Sequence, residues 1–353
     1  MLLPGFLKND TDILVCTSHD DARTWSKPFP LDSGFKTNTG EDLYPRMATD
    51  GNGTWMAVWE SSDSLKRTIG RDFDILFSLS KDNGDTWTAP RPLNTDAAKD
   101  QDKSTYFGNS DNPVLKTDGN GCWMAAWEAT GEMGEELGFN KKIISSRSFN
   151  NGRSWSKPVL VSSDPLGAPC ENRSIEIATD ESGHWMLGYN KVNYDETKSS
   201  LNAAIAASNS KHWKDVTPPN QEISGYEYIE SHRSLYLKNE RLFCLVERSD
   251  VFLDSPSYTH FYYTCDLGET WNTIQLKVFI PDEEKNGNND VKYFKLRDIA
   301  LKSGGDCLIL GDDADSVWRS DMQARSYNLN GQWEGPWPVF KYVSEMDYWF
   351  GSR

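Results

Sequence analysis

The stretch SKDNGDTW, Ser80 to Trp87, recurs along the chain, and no other feature narrows the architecture as much. SHDDARTW (Ser18–Trp25) carries Ala22 in the glycine position, SFNNGRSW (Ser148–Trp155) carries Asn150 for the aspartate, and TCDLGETW (Thr264–Trp271) carries Thr for the serine. SYNLNGQW (Ser326–Trp333) is looser and SNSKHW (Ser208–Trp213) is a shortened relic. The tryptophans Trp25, Trp87, Trp155, Trp213, Trp271 and Trp333 stand 62, 68, 58, 58 and 62 residues apart. A chain of 353 residues is long for one core, and a repeat array escapes that limit because each unit packs on its neighbours.

One unit reads as four strands, A to D. LYPRMATDG is strand-like and ends on the Asp50-Gly51 turn signal. TWMAVWES is apolar enough for a strand buried on both faces, and FDILFSLS alternates and runs into the motif. TAPRPL, with its prolines, suits an edge strand. NPVLKTDGNGCWMAAWEA copies YPRMATDGNGTWMAVWES, and SIEIATDESGHWMLGYN, SLYLKNERLFCLVER and DIALKSGGDCLILGDD follow the same plan. The expected fold is all-β: a six-bladed β-propeller of four-stranded antiparallel blades, one domain over 1–353. The N-terminus enters near strand C, at ILVCTSHDDARTW, and the C-terminal MDYWFGSR supplies the missing strand A, so both ends close the last blade. The motif is then the C–D hairpin. Its Asp accepts turn N–H groups, its Gly takes a left-handed backbone, and its Trp packs the turn onto the sheet. Ala22 should make the first hairpin slightly different.

A net charge of −16 argues against nucleic acid or an anionic membrane as partner. No apolar run reaches about 18 residues, so no membrane insertion is expected. MLLPGFLKND is too short and lacks the basic start of a secretory signal. None of Cys16, Cys122, Cys170, Cys244, Cys265 and Cys307 forms a CxxC pair, so no zinc site is expected. Cys16, Cys122, Cys244 and Cys307 lie in apolar runs and read as buried thiols.

The Ser-x-Asp-x-Gly-x-Thr-Trp repeats resemble the Asp boxes of the sialidase (neuraminidase) superfamily of six-bladed propellers, over nearly the whole chain. The boxes lie at the ends of strands C. The starts of A, ends of B and starts of C therefore share the opposite face, where a ligand would meet the axial mouth. Aligned on strand A, Arg173 (ENRSIEIATD), Arg233 (SHRSLYLKN) and Arg297 (KLRDIALKS) take one position, filled by Leu43 and Asp111 in the first two blades. Such a cluster suits a carboxylate, unless each arginine pairs with a nearby acid, Glu171, Glu230 or Asp298.

The resemblance implies an exo-glycoside hydrolase on an acidic glycan, with three arginines on the carboxylate, a Tyr nucleophile activated by a Glu, and an Asp acid/base. On this chain it points to Arg248 after strand B of FCLVERS and to Arg319 before the strand C of SVWRSDMQARS. It also points to Tyr348 in MDYWFG and to Asp72 in GRDFDILFS, with Asp74 second. Two positions depart from it. LYP puts Leu43 where the first arginine belongs, with Arg46 three residues on, and Arg233 occupies the place of the activating Glu, with Glu230 nearby. A Tyr of ordinary pKa near 10 is a poor nucleophile without a carboxylate partner. The resemblance further implies a secreted or periplasmic monomer with no catalytic cofactor, and allows a structural Ca²⁺. A uronate polysaccharide lyase using His232 and Tyr226 or Tyr228, with arginine neutralising the carboxylate, is the first alternative. A glycan-binding propeller without turnover is the second.

Overall fold

The computed structural model describes residues 2–6, 10–31, 40–70, 72–94, 97–98, 109–131, 138–162, 164, 168–193, 198–219, 223–224, 228–237, 242–250, 258–277, 293–301, 307–316, 319–327 and 333–340; beyond residue 220, side chains are described for 262–273 only. Among the described residues the regular elements are 24 β-strands in six antiparallel sheets. The N-terminal sheet holds β1 (Leu2–Phe6), β2 (Thr11–Val15) and β3 (Phe29–Pro30). The first full sheet holds β4 (Asp42–Thr49), β5 (Trp55–Ser61), β6 (Asp74–Ser80) and β7 (Arg91–Pro92). The second holds β8 (Ser110–Thr117), β9 (Trp123–Gly131), β10 (Gly138–Ser148) and β11 (Val159–Leu160). The third holds β12 (Cys170–Thr179), β13 (His184–Asn193), β14 (Lys198–Ala207) and β15 (Lys214–Asp215), with β16 (Ile223–Ser224) also on β14. The fourth holds β17 (Tyr228–Leu237), β18 (Leu242–Asp250), β19 (Tyr258–Thr264) and β20 (Asn272–Lys277). The fifth holds β21 (Tyr293–Leu301), β22 (Cys307–Ser316), β23 (Arg319–Tyr327) and β24 (Trp333–Phe340).

Each full sheet runs A-B-C-D in chain order, and each strand A touches the next one: β4 meets β8, β8 meets β12, β12 meets β17 and β17 meets β21. The N-terminal sheet lies against β4. It begins one strand earlier than the sequence suggests, because β1 pairs with β2 as a strand B. The segment expected to supply its strand A, 341–353, lies outside the described residues.

The cores sit at the seams between sheets. One joins Met56, Phe77 and Leu79 of the first sheet to Trp123, Trp127 and Ile144 of the second. The next joins Met124 and Ile143 to Ile177 and Trp185. This explains β6, which is buried at all seven positions where the sequence reads as alternating: Ser78 and Ser80 are small enough to sit in a seam. Cys16 and Cys122 are buried and in no disulfide, as their apolar surroundings predict. Among the described residues no helix is long and apolar enough to cross a membrane.

The hairpin motif is wired as its residues dictate. Asp82 Oδ1 accepts from the Thr86 N–H at 2.9 Å and Oδ2 from its hydroxyl at 2.5 Å, while Ser80 Oγ accepts from the Gly84 N–H at 2.9 Å. These bonds hold the Asp82 carboxyl down at about 2, with the Thr86 hydroxyl the main cause. The N-terminal sheet keeps the same bonds although Ala22 sits at φ 62°: Ala22 N–H to Ser18 Oγ at 3.0 Å and Thr24 N–H to Asp20 Oδ1 at 2.8 Å. That hairpin is therefore not rearranged, and the backbone strain falls on Ala22 itself. The Trp87 indole donates to the Gly84 carbonyl of its own hairpin at 3.0 Å, but three other tryptophans depart from expectation and reach the preceding sheet. Trp155 meets Phe77 edge-on at 5.9 Å, Trp213 Nε1 donates to Ser145 Oγ at 2.9 Å, and Trp271 Nε1 donates to the Val216 carbonyl at 2.7 Å.

Candidate functional site

The mouth face is shaped by a bulge near the start of strand A. The ladders skip between Leu43 and Arg46, Asp111 and Val114, and Arg173 and Glu176. Inside each skip one residue is left-handed: Tyr44 at φ 48°, Asn112 at 49° and Ser174 at 57°. The bulge N–H is caught by a carboxylate at the end of the preceding sheet's strand B. Asn112 N–H donates to Glu60 Oε2 at 2.9 Å and Ser174 N–H to Glu128 Oε1 at 2.8 Å. Lys141 then joins Asp111 at 2.7 Å to Glu128 at 3.1 Å.

Two carboxylates thus share one ammonium, and Glu60 lies beside them. Burial pushes the Glu60 carboxyl up to about 7; the charges of Asp111 and Glu128 add to this, while the Asn112 N–H and Lys141 oppose it. Lys141 is pulled down by burial, but Glu128 and Asp111 outweigh that and hold it above its usual range. Asp72 is buried just before β6, and the neighbouring Asp74 accepts from Asn94 Nδ2 at 2.6 Å. Trp59 Nε1 donates to Asp42 at 3.0 Å, fixing the rim from within.

The register corrects the alignment of the three arginines. Counted back from the last A–B pair of each sheet, Arg233 and Arg297 stand four residues from Leu237 and Leu301, but Arg173 stands six from Thr179. Arg173 therefore shares its position with Leu43 and Asp111, two residues closer to the mouth than Arg233 and Arg297. In the fourth sheet the counterpart of Glu60 is Arg248: it pairs with Thr259, five residues before the motif's Thr264, as Glu60 pairs with Ile75, five before Ser80, while His232 stands opposite Glu247. Arg173 is exposed and paired with Glu171, Nε to Oε2 at 2.5 Å, so the ion pair weighed from sequence is present. Arg46 is exposed and opposite Val58, with Nη1 donating to the Pro45 carbonyl at 3.3 Å.

Arg248 lies near the mouth end of β18, opposite Ser231 and Thr259, and Arg319 is the first residue of β23. Arg297 falls in the skip between Leu296 and Asp298, and Glu230 in that between Ile229 and Ser231. Tyr348, the expected nucleophile, and Tyr226 lie outside the described residues. Sequence reasoning missed the Glu60, Asp111, Lys141 and Glu128 network and the exposed Tyr44. The repeated glutamate ending strand B, in VWES and AWEA, was the available signal. Among the described residues no group of three or more His, Cys, Asp or Glu is placed to hold a metal ion.

Sheets of four antiparallel strands, with successive strands A in contact and a repeated hairpin closing strand C, have the layout of a β-propeller. The model of the BNR repeat-like domain matches residues 7–228 and 53–348, and the chain belongs to that family. Among solved structures, a Hadza microbial sialidase is similar at 17% identity and TM-score 0.51, over 85% of this chain and 59% of that one. The chain thus spans less than two thirds of that protein's length. An ulvan lyase of a polysaccharide lyase family, bound to -[GlcA(1-4)Rha3S]-, is similar at 11% identity and TM-score 0.51, over 95% of this chain and 90% of that one. The α-L-arabinofuranosidase of Fusarium graminearum, in complex with arabinobiose, is similar at 14% identity and TM-score 0.51, over 85% and 82%. No curated protein sequence matches the chain. At these identities the likeness is one of fold, and one fold carries three chemistries.

Proposed function

We propose that the protein acts on glycans at its axial mouth, as an exo-glycoside hydrolase of sialidase type that takes an acidic sugar. The observation that carries this is the buried Asp72 carboxyl on the face to which the fourth and fifth sheets bring Arg248 and Arg319. In this scheme Arg248 and Arg319, with Arg233, Arg297 and the exposed Arg46, hold the sugar carboxylate, since a guanidinium matches it with paired bonds. Arg173 serves only if the sugar displaces Glu171. Asp72 protonates the leaving oxygen, Tyr348 attacks the anomeric carbon, and Glu230 takes the Tyr proton.

A second reading is a uronate lyase. His232, which stands opposite Glu247 in β17, favours it, and the likeness to the ulvan lyase agrees with it. One screen separates them: a fluorogenic sialoside beside a panel of uronate polymers. The hydrolase releases the fluorophore, and Asp72→Asn lowers kcat by about 10²–10⁴-fold. A lyase leaves the sialoside intact and yields an unsaturated product seen in the ultraviolet, lost in His232→Ala. Turnover of neither class, with retained glycan binding, sinks both in favour of a binding propeller.

A further inference from the structure

We propose that Tyr44 is the platform on which the leaving sugar rests, and that this sugar is a neutral hexopyranose; this rests on the assignment of Asp72 as proton donor. Of the three left-handed bulge residues, Asn112 and Ser174 are small and polar, and suit φ above zero. Tyr44 is bulky and holds φ 48° at a cost. The residue is 55% exposed, so core packing does not account for that cost. Of the other exposed large apolar side chains among the described residues, Trp25, Phe149 and Leu267 lie in hairpins at the opposite face and Leu160 lies in β11. Tyr44 is the one at the mouth.

A proton donor must stand beside the leaving oxygen, so the leaving sugar lies over the first sheet, which carries both Asp72 and Tyr44. The negative face of an aromatic ring receives the C–H face of a pyranose. The adjoining rim, where Asp111 and Glu128 share Lys141 and Glu60 stands beside them, repels a carboxylated sugar on this side.

Lactose titrated into the full chain, followed by ligand-observed NMR, tests this. Wild type binds; Tyr44→Phe binds within about twofold; Tyr44→Ala weakens binding at least about tenfold, the order expected for loss of one stacking ring. Tyr44→Gly, relieved of its left-handed strain, unfolds at higher urea than wild type and has still lost lactose, which separates ring loss from misfolding. In an active enzyme, Tyr44→Ala raises KM for sialyllactose and leaves inhibition by free sialic acid unchanged. No lactose binding by wild type, or equal binding by Tyr44→Ala, overturns the platform. Lactose binding that vanishes in Tyr44→Ala, without turnover of any acidic glycan, leaves the platform standing and removes the hydrolase.

Discussion

In the N-terminal, first, second and fourth sheets, the C–D hairpin is tied by its own residues. Asp20, Asp82, Asn150 and Asp266 each accept the N–H four residues on, at 2.8–2.9 Å. The third sheet's hairpin, Ser208–Trp213, has no such acid. There Arg147 reaches over from the second sheet: its Nη1 donates to the carbonyls of Ala207 at 2.7 Å, Ser208 at 2.9 Å, and Ser210, and its guanidinium lies 5.4 Å from the centre of the Trp213 ring. The turn is thus held from inside by a side-chain oxygen gathering N–H groups, and in the third sheet, where only Ser210 Oγ accepts from the His212 N–H at 3.0 Å, it is held also from outside by a cation gathering C=O groups. The second arrangement makes a local turn depend on a seam. A repeat can lose its signature residues and keep its shape when a neighbour supplies the opposite charge.

Arg147→Met keeps the side-chain stem and strands three carbonyls; it should cost on the order of 3 kcal/mol in urea unfolding. Amide exchange should accelerate at Ser208–Trp213 while the first sheet's hairpin stays protected. If exchange rises equally in both, the third turn is not held from outside. Glycine substitutions come next. An added Cβ at Gly268 meets Val216 Cβ at 2.5 Å, and a β-branched side chain cannot swing away. Gly268→Ala should therefore cost about 2–3 kcal/mol, against about 1 kcal/mol for Gly84→Ala, whose only close neighbour is Thr17 Cγ2 at 3.2 Å.

Glu60 sharpens the same contrast at the mouth, because its bond to the Asn112 N–H also crosses a seam. Its folded pKa, about 7, is above that of an unfolded glutamate, so the folded state binds the extra proton. Its stabilising effect is complete below about pH 4 and fades as pH rises through 7. Glu60→Gln should flatten that slope and raise stability at pH 8 by on the order of 1–2 kcal/mol; an unchanged pH profile would show the carboxylate to be well solvated. The smallest effect is Ala22→Gly, which should add about 1 kcal/mol by relieving φ 62°, read as a rise in the urea midpoint.

The blades were legible because their signals are local. Trp55 and Trp123 each follow an Asp-Gly-Asn-Gly turn, and Asp82 binds the N–H four residues later, so short windows contain both partners. The site was less legible because its partners are far apart. Arg173 aligns with Arg233 by neighbouring letters (NRS and HRS), yet the ladder shifts the two by two residues, and letters do not count bulges. Trp271 looked bound to its own hairpin, while its indole N–H donates to Val216, 55 residues upstream. Arg147 sits in a strand where a serine or leucine would look equally apt, and nothing in its window shows the three carbonyls it serves.

The backward reach of these indoles gives the molecule a polarity. A chain opened between two sheets would expose unequal wounds: the downstream piece would show a wet tryptophan, and the upstream piece the socket that it left, lined by Phe77 in one seam and by Ser145 and Arg147 in the next. Single-tryptophan variants would therefore report individual seams by fluorescence, each ring dimming with the blade before it and not with its own.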